Sequence, residues 1–138
     1  MTLVVATGVF EIIHPGHLLF LNEARKLGTR LVVVVARDST VARKKRRSFV
    51  HEQQRLEMVN ALKMVDHAVL GDEEDMFNPI GRLKPDILAL GFDQDFDEKE
   101  LEDELRKRGL KTRVVRLNTF HAGKLSGSKK IIDHIRRS

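Results

Sequence analysis

Apolar runs alternate with segments of helical period along this chain. Five short runs with few polar interruptions predict β-strands, and the valine-rich run Val32–Val35 is typical of a strand buried on both faces. The predicted strands are Leu3–Ala6, Leu31–Ala36, His67–Leu70, Ile87–Leu90 and Arg113–Leu117. In a parallel sheet, helices cover both faces, so such a strand is apolar at every position.

Helical segments lie between the strands. Pro15–Leu27 has proline at its start and is followed by Gly28, which is the asymmetry expected of a helix. Three further segments place their apolar residues on one face, and a shorter helix with Pro79 near its start is expected around Met76–Leu83. The three are Glu52–Lys63, Asp97–Lys107 and Ser128–Arg136.

The alternation of strands and helices predicts the α/β fold class. The 138 residues fit one domain, and no linker or repeat divides them. We therefore expect a single Rossmann-like, doubly wound domain over residues 1–138, with a five-stranded parallel sheet of order 3-2-1-4-5 and helices on both faces. Such sheets bind ligands at the carboxyl ends of the strands, beside the point where the strand order reverses. The functional residues should therefore follow the strands.

Composition narrows the function classes. The absence of cysteine excludes disulfide scaffolds, cysteine nucleophiles, thiolate zinc sites and iron–sulfur ligation. The longest purely apolar run, Leu31–Ala36, is too short to span a bilayer, and no secretory signal precedes the first strand, so we expect a soluble cytoplasmic protein. The formal net charge is +5, and Arg43–Arg47 is an unbroken basic run. This balance suits nucleic acid and a small polyphosphate ligand equally well, and composition leaves both open.

The loop after the first strand carries the clearest candidate chemistry. It reads Thr7-Gly8-Val9-Phe10-Glu11-Ile12-Ile13-His14-Pro15-Gly16-His17. His14 and His17 lie three positions apart in the first turn of a helix, whose free N–H groups and partial positive charge favour anions. The two imidazoles are placed to donate hydrogen bonds to a reacting phosphate, and the small residues Gly8 and Gly16 leave room for a ligand. A metal site or two ordinary polar histidines are the alternatives.

This loop resembles the signature of the HxGH nucleotidyltransferases of the cytidylyltransferase-like superfamily. Members transfer a nucleoside monophosphate from a triphosphate to a phosphate-bearing acceptor and release pyrophosphate. They usually have aspartate in the place of Glu11. Over its full length the chain most resembles the archaeal-type FAD synthetases, or FMN adenylyltransferases, including the segments Lys84-Pro85-Asp86-Ile87 and Gly91-Phe92-Asp93-Gln94. Members of that group commonly carry cysteines near the C-terminus, which this chain lacks.

The resemblance, together with position after the strands, implies a set of site residues. His14 and His17 are the expected catalytic residues, with Lys44 or Lys45 of the basic loop balancing phosphate charge. Arg55 is a second phosphate candidate, or else an ordinary surface ion pair. A divalent cation, Mg²⁺, is expected to bridge the triphosphate. The residues expected to bind the nucleotide are Thr7, Gly8, Val9, Phe10, His14, Pro15, Gly16, His17, Asp93, Gln94, Phe120, Ser126 and Ser128.

The expected activity is that of an FAD synthase, which transfers AMP from ATP to FMN by direct in-line displacement. One alternative is a CTP-dependent cytidylyltransferase acting on a small alcohol phosphate such as glycerol 3-phosphate, because the sequence does not distinguish ATP from CTP. A second alternative is a basic nucleic-acid-binding module. With the histidine motif, the basic excess points to the phosphates of one nucleotide, so neither a nucleic acid nor a membrane is the expected partner. Members of the family are usually homodimers, so the resemblance also implies a homodimer.

Overall fold

The computed structural model describes residues 1–43, 49–75, 77–91, 94, 96–118 and 135. The described strands are β1 (Leu3–Gly8), β2 (Arg30–Val35), β3 (His67–Leu70), β4 (Ile87–Leu90) and β5 (Arg113–Arg116). The described helices are α1 (Pro15–Lys26), α2 (Asp38–Arg43), α3 (Glu52–Asn60), α4 (Phe77–Leu83) and α5 (Glu98–Lys107). None of these helices is both long and apolar enough to cross a bilayer.

The strands form one parallel sheet of order β3-β2-β1-β4-β5, which confirms the predicted fold class and strand order. The central strand β1 pairs with β2 on one side and with β4 on the other, so that Ala6 lies between Val33 and Ala89. The order reverses between β1 and β4. The loops that leave the carboxyl ends of these two strands therefore border the cleft in which doubly wound proteins bind ligands.

Each face of the sheet has its own apolar layer. Val33 and Val35 of β2 pack with α1 and α3 on one face, whereas Val32 and Val34 pack with α4 and α5 on the other. Successive residues of a strand point to opposite faces, so a strand that lies between two helical layers is apolar at every position. The prediction that Val32–Val35 is buried on both faces is confirmed.

The differences from the prediction lie mainly at element ends. Helix α2 was not predicted, because only Val41 of its six residues is a buried apolar side chain and so few residues show no period. Helix α3 ends at Asn60, and β1 continues to Gly8. The helix predicted over Ser128–Arg136 lies outside the described residues except for position 135, and Met76 is also outside them.

Candidate functional site

The two predicted histidines lie together at the start of α1. The Nδ1 atom of His14 accepts a hydrogen bond from the backbone N–H of His17 at 3.4 Å, and Nδ1 of His17 accepts from the N–H of His14 at 3.3 Å. This reciprocal arrangement is a capping box, in which histidines replace the usual hydroxyl and carboxylate side chains. The rings stack with their centroids 3.7 Å apart. Because each Nδ1 is an acceptor, Nε2 carries the proton of each neutral ring.

His17 is uncharged at neutral pH. Burial, and then the neighbouring His14 imidazole, lower the pKa of His17 to about 4, although a hydrogen bond to the backbone carbonyl of Ile12 acts in the opposite direction. A phosphate placed against the ring would raise this pKa, since an opposite charge stabilises the imidazolium. His17 is therefore a neutral ring that donates its Nε2 proton to the Ile12 carbonyl, and its pKa would respond to a bound anion.

Phe10 supports His17 from the loop after β1. Its backbone lies in the left-handed region at φ 54°, which costs a non-glycine residue about 1 kcal/mol, yet the side chain is buried. The Phe10 ring lies 5.1 Å from the His17 ring. It also fills the space beside Gly8, where an added Cβ would be 2.7 Å from the ring. Gly8 was expected to leave room for a ligand, but in this structure it makes room for Phe10.

Gln94 joins the ends of β1 and β4. Its side-chain oxygen accepts from the backbone N–H of Gly91 at 2.8 Å, and its Nε2 donates to the carbonyl of Thr7 at 3.2 Å. Gln94 and Thr7, for which a nucleotide contact was predicted, lie at the reversal of the strand order. The Gln94 amide also has a structural role, because its hydrogen bonds fix the distance between the two loops that border the cleft.

Arg55 does not occupy the position that the sequence suggested. Its side chain is fully buried and pairs with Asp38, so Arg55 is not the exposed residue that the expected phosphate contact or a surface ion pair would require. The guanidinium donates to four oxygens: the carbonyls of Val50, Val9 and Ala36 at 2.9, 2.8 and 2.7 Å, and Oδ1 of Asp38 at 2.6 Å. These bonds join the loop after β1 to the end of β2 and to the start of α3. Arg55 thus acts on the site through the backbone.

The sequence held a signal for this role. Arg55 lies four positions before the buried Val59, so the two residues share one face of α3. A charged residue on the apolar face of a helix needs internal partners, because an unpaired buried charge is strongly unfavourable.

Glu11 is a second structural residue of this loop. One oxygen of its carboxylate accepts from the backbone N–H groups of Phe49 and Val50, both at 2.6 Å. Where the superfamily usually has aspartate, the longer side chain of Glu11 reaches the chain just before α3. The sequence shows that glutamate replaces aspartate here, but it does not indicate this contact. The contact joins Glu11 to residues that follow it by 38 and 39 positions in the chain.

The remaining predicted site residues divide into two groups. Pro15 and Gly16 lie in the first turn of α1, and Val9 lies after the carboxyl end of β1. Lys44, Lys45, Asp93, Phe120, Ser126 and Ser128 lie outside the described residues. Within residues 1–43, 49–75, 77–91, 94, 96–118 and 135, no three histidine, aspartate or glutamate side chains form a group that could hold a metal ion.

Comparison with known proteins places this chain in a family. The cytidylyltransferase-like family profile matches residues 5–133. The chain is 58% identical to an FAD synthase of Methanohalophilus mahii over 98% of this chain and 94% of that protein. It is 53% identical to an FAD synthase of Methanocella paludicola over 100% of this chain and 99% of that protein.

A solved structure has a similar fold. The crystal structure of a lipopolysaccharide core biosynthesis protein from Thermoplasma volcanium is similar to this chain with a TM-score of 0.86 and 46% identity, covering 88% of this chain and 99% of the other. The predicted resemblance and the predicted enzyme class, a nucleotidyltransferase, are confirmed. The chain belongs to the cytidylyltransferase-like family and, within it, to the FAD synthases.

Proposed function

We propose that this enzyme transfers AMP from ATP to the phosphate of FMN and so produces FAD and pyrophosphate. The observation that carries the proposal is the stacked pair His14 and His17 at the start of α1, beside the reversal of strand order. The pair occurs in a chain that is 58% identical to an FAD synthase over nearly its whole length. A helix N-terminus at this edge of the sheet suits the phosphates of a nucleotide.

The reaction needs no covalent enzyme intermediate. An oxygen of the FMN phosphate attacks the α-phosphorus of ATP in line, a new P–O bond forms, and the bond to the α–β bridging oxygen breaks. Pyrophosphate leaves with the bonding electron pair. The protein therefore contributes by positioning the two phosphates and by stabilising the charge that moves onto the leaving oxygen.

The two histidines are the proposed donors to the reacting phosphate. His14 and His17 donate from Nε2 to the α-phosphate and to the bridging oxygen, and for His17 this bond replaces the one to the Ile12 carbonyl. As negative charge accumulates on that oxygen, a neutral imidazole donor binds it more strongly than it binds the ground state, and such differential binding accelerates the reaction. Lys44 or Lys45 is the proposed cation on the phosphates. Mg²⁺ enters with ATP as part of the substrate and neutralises charge on the triphosphate.

Phe49 is the proposed contact for the flavin ring. The chain has neither tryptophan nor tyrosine, so a flavin ring would rest on phenylalanine or on aliphatic side chains, and of these only phenylalanine offers an aromatic face. Among the described phenylalanines, Phe10 and Phe20 are buried and Phe77 and Phe96 are half-buried against the core, whereas Phe49 is 58% exposed. Its backbone N–H is bound by Glu11, three residues before His14. This bond holds Phe49 close to the histidine loop. It therefore supports a position for FMN between the two histidines and the start of α3.

A crossed substrate assay tests the function. Pyrophosphate release is measured with ATP or CTP against FMN or glycerol 3-phosphate, and FAD is identified by chromatography. We expect turnover only with ATP and FMN. Turnover only with CTP and glycerol 3-phosphate would establish the cytidylyltransferase alternative. The absence of all turnover, together with strongly salt-dependent oligonucleotide binding, would establish the nucleic-acid-binding alternative.

A matched pair of histidine variants tests the mechanism. His17→Ala should lower kcat on the order of 10²- to 10³-fold, as expected when one donor to a developing charge is lost. His67→Ala should leave kcat unchanged, because His67 is an exposed residue at the start of the edge strand β3. Equal turnover of the two variants would contradict the proposed role of His17.

We also infer a cytoplasmic homodimer. The dimer is supported by the resemblance, because members of that family are usually homodimers. Light scattering coupled to gel filtration should give twice the mass of one chain at micromolar concentration, and a single-chain mass would contradict the dimer.

A further inference from the structure

Arg116, at the end of β5, bonds to the loop between β4 and α5 at several points. Its NH1 group donates to the carbonyl of Gly91 at 2.9 Å and to the carbonyl of Gln94 at 2.8 Å. Its NH2 group donates to the carbonyl of Phe96, and its Nε pairs with Glu98 in the first turn of α5. The side chain is about four-fifths buried, with 22% of its surface exposed. A single residue thus contacts the described residues Gly91, Gln94 and Phe96 of this loop and the first turn of the next helix.

The position of Arg116 follows from the register of the sheet. In the parallel pair β4–β5, Arg116 lies opposite Leu90, the last residue of β4. Its side chain therefore starts at the level where the chain leaves β4 and enters the loop. A guanidinium suits this place because it is planar and presents five donors in fixed directions, whereas a lysine would present one compact ammonium group.

The loop that Arg116 holds is connected to the cleft through Gln94. The Gln94 amide bonds to the N–H of Gly91 and to the carbonyl of Thr7 at the end of β1. Since Arg116 binds the carbonyls of both Gly91 and Gln94, it fixes the backbone from which that amide extends. Groups that are fixed before a ligand arrives need not be ordered when it binds, and this raises affinity.

We propose that Arg116 is a positioning residue for the nucleotide: through the carbonyls of Gly91, Gln94 and Phe96 it holds the Gln94 amide in the orientation that receives ATP between the ends of β1 and β4. The proposal rests on the proposed function, because it takes that function's nucleotide site as given. Arg116 acts through carbonyls and not through the substrate. Its loss should therefore affect nucleotide binding more than the chemical step.

Steady-state kinetics of three variants test the proposal with the full chain, ATP and FMN. Arg116→Gln should raise the KM for ATP about tenfold, the equivalent of one lost hydrogen bond to a charged group. It should leave kcat and the KM for FMN within about twofold of the original enzyme. Arg116→Lys should have nearly the same defect, because an ammonium does not reproduce the planar set of donors. Arg113→Gln is the matched control, since Arg113 is an exposed residue of the same strand and its loss changes the charge equally.

The kinetic pattern separates positioning from simple stabilisation. A residue that only stabilises the fold changes the fraction of active enzyme, which lowers the apparent kcat and leaves the KM for ATP unchanged. Thermal melting curves establish that each variant is folded at the assay temperature. An unchanged KM for ATP in Arg116→Gln, an equal rise in Arg113→Gln, or full recovery in Arg116→Lys would each overturn the proposal. Failure of the original enzyme to make FAD would instead refute the proposed function.

Discussion

Replacing Arg55 by methionine is the most direct test of the interactions that support the site loop. The substitution keeps a long side chain of similar shape but removes the guanidinium and its four hydrogen bonds. Three of these go to backbone carbonyls, and the fourth forms an ion pair with Asp38 at 2.6 Å. The side chain of Arg55 has no exposed surface. Water must therefore enter the structure to replace any of the lost bonds.

The expected loss of stability follows from this burial. Breaking a buried ion pair by removing one partner typically costs about 3–5 kcal/mol, because the other charge is left without compensation. The remaining carboxylate of Asp38 is about one-third exposed, at 32%, so water can solvate part of its charge. We therefore expect the lower end of that range, about 3 kcal/mol in the free energy of unfolding. Arg55→Lys keeps the charge and should lose about half as much, on the order of 1–2 kcal/mol.

Urea unfolding followed by circular dichroism measures these losses, provided that the m values of the variants agree. Arg25→Met is the matched control. Arg25 also pairs with a carboxylate, that of Asp66 at 3.2 Å, but both side chains are more than one-third exposed, so the loss should be at most about 1 kcal/mol. If Arg55→Met lost no more than Arg25→Met, the guanidinium would not be the buried connection described here. Arg55→Lys provides the same comparison if the methionine variant does not fold.

Three further predictions concern the loop after β1 and the acceptor. Because the pKa of His17 is about 4 in the folded chain and 6.5 in the reference state, stability is complete above pH 6.5 and falls as the pH is lowered toward 4. Urea titrations should show a loss of about 1 kcal/mol between pH 7.5 and 5.5 that is absent in His17→Gln, and equal slopes would refute the assignment. Gly8→Ala should cost about 1–3 kcal/mol, because the new methyl group collides with the Phe10 ring. The control Gly81→Ala should be neutral or stabilising in a thermal melt, since a helical glycine there has open space around it. Phe49→Ala should raise the KM for FMN about tenfold and leave the KM for ATP unchanged in the pyrophosphate assay, and an unchanged KM for FMN would exclude the stacking contact.

The fold was predictable because burial on both faces of a parallel sheet leaves a clear pattern. Val32–Val35 is apolar at every position, and the helices on either side of such strands show a period of their own. Helix α2 was not predictable, since its single buried apolar residue, Val41, gives no period. Long, regular elements are thus apparent in the sequence, whereas short elements that depend on tertiary contacts are not.

The site was predictable only where its residues are neighbours in the chain. His14 and His17 are three positions apart, and the turn that joins them brings the rings together. Arg116 reaches Gly91 across 25 positions, and Arg55 reaches Val9 across 46, so neither contact has a local pattern. Both arginines were therefore harder to interpret than the histidines. Only the place of Arg55 on the same helix face as Val59 distinguishes it in the sequence from an arginine that is exposed to water.

The reciprocal bonds between His14 and His17 couple fraying of the first turn of α1 to the orientation of the two imidazole rings. The N–H groups that these rings satisfy are those of the first turn of α1, so the atoms that begin the helix also set the direction of the proposed donors. Fraying of that turn and loss of orientation in the site are consequently one local opening event, with one free energy. The hydrogen-exchange rates of these two backbone amides should report the fraction of enzyme molecules in which the first turn is closed and the imidazoles are oriented for donation.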